Sequence, residues 1–169
     1  SQSPDNAIGA GITTNRNLFF NSHPVSFQAD FLGYDNQAYA GTGLLLRGEL
    51  RARTPLGIKY DFVGQDSEVY AVGSVALEHQ SGGRNFFLPA IGAGFKTGDN
   101  VLTEYTYIIK PNKNNSIQGH QVTVQYTRPL KDNPNWNVYT RFQGTAGRFN
   151  FGPQDPQALS NVVFSIGIS

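Results

Sequence analysis

The chain has 169 residues and a net charge of +1, and it contains no Cys and no Met. Without Cys it has no disulfide, no thiolate zinc site and no thiol nucleophile. The near-neutral charge argues against a broad basic surface, so no nucleic-acid partner is expected. The length suggests a single domain over residues 1–169, and the polar start without Met is typical of a processed, exported chain.

Alternation of apolar and polar residues predicts an all-β fold, because it is the pattern of strands with one face buried. No apolar run approaches the ~18 residues of a spanning helix. In chain order the predicted strands are 6–13, 25–33, 39–53, 56–63, 68–79, 86–96, 101–110, 119–128, 136–149 and 161–169. Short segments rich in turn-forming residues separate most of them. This arrangement predicts a single antiparallel up-and-down β-barrel of about 8–10 strands, transmembrane in the interpretation favoured below.

The strand count depends on residues 54–57, with the sequence TPLG. Pro in the second position and Gly in the fourth suit a type I turn. The apolar parity continues across this segment, so a single long strand with a kink is the other interpretation. Residues 14–24 are predicted to form a loop, and only eight strands result if the first segment is an arm and TPLG is a kink.

The segment 43–63 poses the main functional question, because one face is apolar and the other carries charges of both signs. A soluble barrel turns such an apolar face inward, whereas a membrane barrel turns it to lipid and encloses the polar face. The predicted lumen charge network consists of Asp30, Arg47, Glu49, Arg51, Arg53, Lys59, Asp61, Glu78, Glu104 and Arg141. We predict that Arg47 or Arg51 pairs across the lumen with Glu78 or Glu104.

Two features favour the membrane interpretation. Only 15% of the residues are charged, against roughly 25% in ordinary globular chains. Aromatic residues of the apolar face also lie near strand ends, as in the girdles of membrane barrels. The predicted membrane-interface aromatics are Tyr60, Phe62, Phe95, Tyr126 and Trp136 at one rim, and Phe27, Phe87 and Tyr107 at the other.

With this pattern the chain resembles the class of small bacterial outer-membrane β-barrels. The resemblance implies a location in the outer membrane and contact with outer-membrane lipid. It further implies a non-enzymatic role as a structural element, as a docking element for other envelope proteins, or as a narrow solute pore with a charged lumen.

Two other functions remain open at the level of sequence. One is a soluble secreted or periplasmic barrel, similar to the calycins, that binds an apolar ligand among Leu44, Leu46, Phe87, Ile91, Tyr105 and Phe142. The other is a lipid-modifying barrel enzyme that uses His79 or His120 with Ser81 or Ser116. Zinc motifs and phosphate-binding loops are missing from the sequence, so we expect no metal, no cofactor and no catalytic residues.

Overall fold

The computed structural model describes residues 5–20, 23–36, 41–80, 84–98, 100–109, 116–150 and 157–169. All regular structure in these residues is β, which confirms the predicted fold class. The strands are β1 Asp5–Phe20, β2 His23–Asn36, β3 Gly41–Phe62, β4 Gln65–Gln80, β5 Arg84–Thr97, β6 Val101–Ile108, β7 Ser116–Pro129, β8 Asn137–Asn150 and β9 Gln157–Ile168.

The nine strands form a closed barrel in sequence order. Each strand pairs antiparallel with the next, and β1 closes the barrel by pairing parallel with β9. The predicted barrel is confirmed, but the expectation of purely antiparallel pairing is wrong. In an up-and-down chain with an odd number of strands, the first and last strands run in the same direction. We call the end where β1 and β9 begin the proximal end, and the end where they finish the distal end.

The TPLG segment lies inside β3 and does not reverse the chain. Pairing with β4 passes from Pro55↔Tyr70 to Ile58↔Val69 with a shift of register, and Gly57 absorbs the irregularity with a φ of 74°. A bulge of this kind bends a strand without ending it. The continuous apolar parity therefore indicated the correct alternative, a long strand with a kink.

The predicted loop at residues 14–24 is wrong for most of its length, because β1 extends to Phe20. The ladder between β1 and β2 continues up to Phe20↔His23. Asn residues such as Asn15 and Asn17 have low strand propensity, but pairing with a neighbouring strand overrides a propensity that depends strongly on context.

The barrel is polar inside and apolar outside, as four successive residues of β7 illustrate. Gln121 and Thr123 are each 4% exposed, whereas Val122 and Val124 are 49% and 41% exposed. Around the barrel the exposed outer side chains include Ile12, Phe31, Leu50, Leu77, Ile91, Phe142 and Ile166. The interior is apolar toward the proximal end, where Leu32, Phe86, Leu88 and Ile108 are buried.

The residues proposed for a soluble apolar-ligand site all belong to this outer surface. Each of them is exposed, so they line no interior cavity; they are Leu44, Leu46, Phe87, Ile91, Tyr105 and Phe142. Among the described residues there is no helix with the length and apolar character needed to cross a membrane.

Candidate functional site: the interior charge network

Strand β3 supplies a row of charged side chains to the barrel interior. Arg47, Glu49, Arg51 and Arg53 are alternate residues, so they share one face of the strand. Arg47 Nη2 lies 2.6 Å from Glu49 Oε2, and Arg51 Nε lies 2.8 Å from Glu49 Oε1. One buried carboxylate thus forms ion pairs with two guanidinium groups on its own strand.

Glu104 on β6 is the second centre of the network and is buried. Arg53 Nε donates a hydrogen bond to Glu104 Oε1 at 2.6 Å, and the Tyr70 hydroxyl donates to the same oxygen at 2.8 Å. Arg51 Nη1 forms an ion pair with Glu104 Oε2. Strands β4 and β5 separate β3 from β6 in the sheet, so these contacts cross the interior.

Arg47 connects β3 with two further strands. Its Nη1 donates to Gln143 Oε1 on β8 at 3.0 Å and lies 3.9 Å from Glu78 Oε1 on β4. The prediction that Arg47 or Arg51 pairs across the lumen with Glu78 or Glu104 is met by Arg51, which pairs with Glu104. Arg47 and Glu78 also pair, but they are direct register partners on neighbouring strands, so their contact does not span the interior.

Asp30 on β2 forms a third centre. Arg141 Nη2 on β8 lies 3.0 Å from Asp30 Oδ2, and Gln28 Nε2 donates to both carboxylate oxygens at 3.2 Å. The Thr13 hydroxyl donates to Asp30 Oδ1 and lies 2.9 Å from the Tyr139 hydroxyl. This cluster joins β1, β2 and β8 close to the parallel seam.

The charges of these three centres balance. Seven of the eight side chains are buried, and the Arg53 side chain is mostly so. The four cations are Arg47, Arg51, Arg53 and Arg141, and the four anions are Asp30, Glu49, Glu78 and Glu104. Equal numbers of opposite charges meet the requirement that buried ions be paired.

The described interior is filled rather than open. Gln121 Nε2 donates to Thr145 Oγ1 at 3.1 Å, and Gln143 Nε2 donates to Thr123 Oγ1 at 3.2 Å, so amide and hydroxyl groups bridge β7 and β8. A water-filled channel would give its lining side chains solvent-exposed surface. These four residues are instead almost completely buried.

Two residues predicted for the network lie elsewhere. Lys59 and Asp61 are exposed, and they belong to the part of β3 that continues beyond its last pairing with β2, Val25↔Ala52. Their parity along the strand was read correctly. The error arose because alternation shows on which face of the strand a residue lies. It does not show whether the neighbouring strand extends far enough to enclose that residue.

Seven of the eight predicted interface aromatics project from the outer face of the sheet, and Trp136 lies in the connection directly before β8. Six are exposed, and Phe95 and Tyr107 are half-buried. The Tyr60 and Phe95 rings meet edge to face, with centroids 6.3 Å apart. Tyr60, Phe62, Phe95, Tyr126 and Trp136 lie toward the distal end, while Phe87 and Tyr107 lie toward the proximal end.

The position of Phe27 differs from the prediction. It lies in the distal half of β2, on the same side as Tyr60 and away from Phe87 and Tyr107. The predicted grouping assumed that the chain reverses at TPLG. Because β3 continues through that segment, all strands after it run opposite to the direction assumed.

His79 and His120 do not form a common site. His79 Nδ1 on β4 lies 2.6 Å from Asn85 Oδ1, and His120 Nδ1 on β7 is hydrogen-bonded to the Tyr105 hydroxyl. Ser81 and the side chain of Ser116 lie outside the described part of the structure. Within that part, no group of three or more His, Asp or Glu side chains could hold a metal ion.

Five residues of the network were not foreseen as partners: Thr13, Gln28, Tyr70, Tyr139 and Gln143. The alternation of β4 could have placed Tyr70 in the interior, since Tyr70 lies on the same face as Ser74 and Glu78 and has apolar neighbours on the other face. The identity of each partner depends on register across the barrel, which a single sequence does not give.

The fold and its interior define a closed nine-stranded β-barrel with an apolar outer surface and a charge-balanced polar core. Comparison with protein-family models, with curated proteins and with solved structures finds no match for the chain.

Proposed function

We propose that the chain spans a lipid bilayer, that of the bacterial outer membrane, as a non-enzymatic barrel. The observation that carries this proposal is the distribution of polarity, with exposed aliphatic and aromatic side chains outside and paired, buried charges inside. A closed barrel satisfies the backbone hydrogen bonds between its own strands, which is what lipid demands of a spanning β-structure. Exposure of this apolar outer surface to water would be unfavourable, because apolar side chains are more stable in an apolar environment.

Within the membrane, the barrel serves as a structural or partner-docking element and conducts no solute. The balanced ion pairs support this choice over a narrow pore, because each guanidinium group is held by a carboxylate, an amide or both. In a conducting lumen, by contrast, the charged side chains would be exposed to water and loosely held, so that a passing ion could displace them.

The odd number of strands is compatible with a membrane barrel. Bacterial single-chain barrels have an even number of strands, whereas a mitochondrial channel with nineteen strands shows that odd numbers are compatible with a membrane. The proposal rests on which side chains face outward.

Trp136 offers a direct test, because it is the only Trp in the chain and is exposed near the distal end. The protein is folded into vesicles containing lipids brominated at different depths. We expect shallow bromines to quench Trp136 fluorescence most strongly, since aromatic residues at a barrel rim sit at headgroup level.

The behaviour of the protein without detergent gives the result that would contradict the membrane proposal. A chain that remains a monodisperse, folded monomer without detergent, with Trp136 insensitive to every brominated lipid, contradicts the membrane proposal.

A further inference from the structure

The distal part of β3 has a free backbone edge. Its pairing with β2 ends at Val25↔Ala52, but its pairing with β4 continues to Phe62↔Gln65. Residues 58–62 therefore have no partner strand on the β2 side among the described residues. Unpaired N–H and C=O groups in an extended strand are a ready template for another strand.

The apolar stripe of β3 is too long for lipid to cover. It runs outward-facing from Leu44 to Phe62, 18 positions apart (62 − 44), which is roughly 60 Å along an extended strand. At the ~35–45° tilt of membrane barrels this reaches about 42–49 Å along the bilayer normal, against an apolar band about 25 Å tall. The distal side chains Ile58, Tyr60 and Phe62 need another covering surface.

The turn of the hairpin adds an independent indication. Val63 and Gly64 form the two-residue turn, with φ values of 51° and 76°. The left-handed region disfavours a β-branched residue, and Asn-Gly is the usual choice in such turns. Val63 is nevertheless present and 86% exposed, so a costly apolar residue occupies the most accessible point of the hairpin.

The edge is complementary to itself. In an antiparallel pairing centred on Tyr60, Lys59 faces Asp61 of the second copy, and Asp61 faces Lys59 of the second copy. On the other face, Ile58 meets Phe62 of the second copy. Val63 falls opposite Gly57 of the second copy, where a side chain has open space, because no atom lies within 4 Å of a Cβ built there.

We propose that residues 58–62 pair antiparallel with the same residues of a second copy of this chain, about a two-fold axis at Tyr60. Opposite-charge and apolar cross-strand pairs both stabilise such a ladder. The paired segment begins directly after the bulge at residues 55–57, and a bulge allows a strand to bend locally. An isologous contact of this kind closes at two copies.

The contact is small, so it is weak in dilute solution. Five paired residues on each copy lie well below the area of a standard stable interface. Confinement of both copies to one membrane raises their effective concentration. A covalent trap is therefore a better readout than a dissociation constant.

Disulfide trapping tests the register directly, and the chain has no Cys of its own to interfere. Single variants Tyr60→Cys, Ile58→Cys, Phe62→Cys and Val63→Cys are oxidised in detergent micelles and analysed on non-reducing gels. We expect Tyr60→Cys to give a covalent dimer in at least tenfold higher yield than Ile58→Cys or Phe62→Cys alone. A mixture of Ile58→Cys and Phe62→Cys protein should give a strong mixed dimer.

Val63→Cys is the collision control, because Val63 is the most exposed of these residues and faces Gly57 of the second copy. Equal yields at all four positions indicate random collision and overturn the proposal, as does the absence of any Tyr60→Cys dimer.

Charge exchange gives a second readout that needs no covalent bond. Lys59→Asp places two acidic residues opposite each other at both ends of the two-fold contact. We expect it to lower the yield of the mixed dimer formed from Ile58→Cys and Phe62→Cys protein, and the double change Lys59→Asp with Asp61→Lys to restore it. If Lys59→Asp leaves the yield unchanged, the register is wrong. These assays do not need a bilayer, so their failure is distinguishable from failure of the membrane proposal.

Discussion

At the scale of single residues, the interior carboxylates are predicted to have large effects on stability. Glu104 accepts contacts from Arg51, Arg53 and Tyr70. Glu104→Gln removes the negative charge, so Arg53 loses its carboxylate partner and Arg51 keeps only Glu49. We expect a loss of about 3–5 kcal/mol in the free energy of unfolding, measured by urea titration in lipid vesicles.

Asp132→Asn is the matched control for this variant, because it also removes one acidic charge but lies in an exposed turn. Its expected effect is under about 1 kcal/mol. Equal stability of the two variants would mean that the charges inside the barrel are solvated, contrary to the filled interior described above.

Two outward-facing residues of β7, Val124 and Gln118, test whether lipid or water surrounds the barrel. Val124 is exposed on the outer face, so Val124→Arg is harmless if water surrounds the barrel. In a bilayer the same change should cost about 2–4 kcal/mol near the midplane, measured by the same titration. Gln118→Arg, also outward-facing but near the proximal end of β7, should cost about 0–1 kcal/mol. An identical small effect at both positions would contradict lipid contact.

At the scale of strands, a glycine on β5 makes room for an aromatic ring on β4. Gly94 is the register partner of Tyr70, and a Cβ at position 94 would lie 2.6 Å from the Tyr70 ring and hydroxyl. The side chain of Tyr70 reaches Glu104 across this gap. We expect Gly94→Ala to cost about 1–3 kcal/mol through overpacking, whereas Gly73→Ala on β4, with nothing within 4 Å, should be nearly neutral.

Equal melting temperatures for Gly94→Ala and Gly73→Ala would contradict this account of Tyr70. Gly94 thus makes room for a bulky side chain of the adjacent strand rather than for one across the lumen.

The strands were predictable where alternation is strong and ambiguous where it is interrupted. The inward row from Arg47 to Arg53 follows from period two alone. The kink at TPLG does not, because Pro55 and Gly57 suit a turn and a bulge equally well. Pairing with β4 on both sides of the segment decides between them, and pairing is a property of two strands rather than of one.

The charge network was predictable in composition but not in connectivity. Parity placed eight of the ten predicted residues in the interior, and balanced charge indicated that they pair. The choice of Arg141 as the partner of Asp30, although Arg47 is its register partner, depends on side-chain reach across a closed barrel. Lys59 and Asp61 show the same limit, since their height above the wall follows from where β2 begins.

At the scale of the whole molecule, the parallel seam between β1 and β9 follows from the count of strands. Nine strands in up-and-down order leave the first and last running in the same direction. The sequence left the count at about 8–10, because residues 14–24 and TPLG could each add or remove a strand. Neither ambiguity affects the face on which a residue lies, so the inside and outside were predictable although the closure was not.

The whole barrel is predicted to be sealed to ions, and planar bilayers provide the measurement. We expect no conductance steps from the unmodified chain, because paired charges fill its interior.

The double change Arg47→Ala with Glu49→Ala removes one cation and one anion, so the remaining three of each stay balanced and the loss of stability is smaller than for Glu49→Ala alone. The vacated space should admit ions and produce steps. Lys59→Ala with Asp61→Ala removes the same charges outside the barrel wall and should stay silent. Steps from the unmodified chain would instead favour an open pore. Indistinguishable records from the two double variants would mean that Arg47 and Glu49 do not seal the barrel.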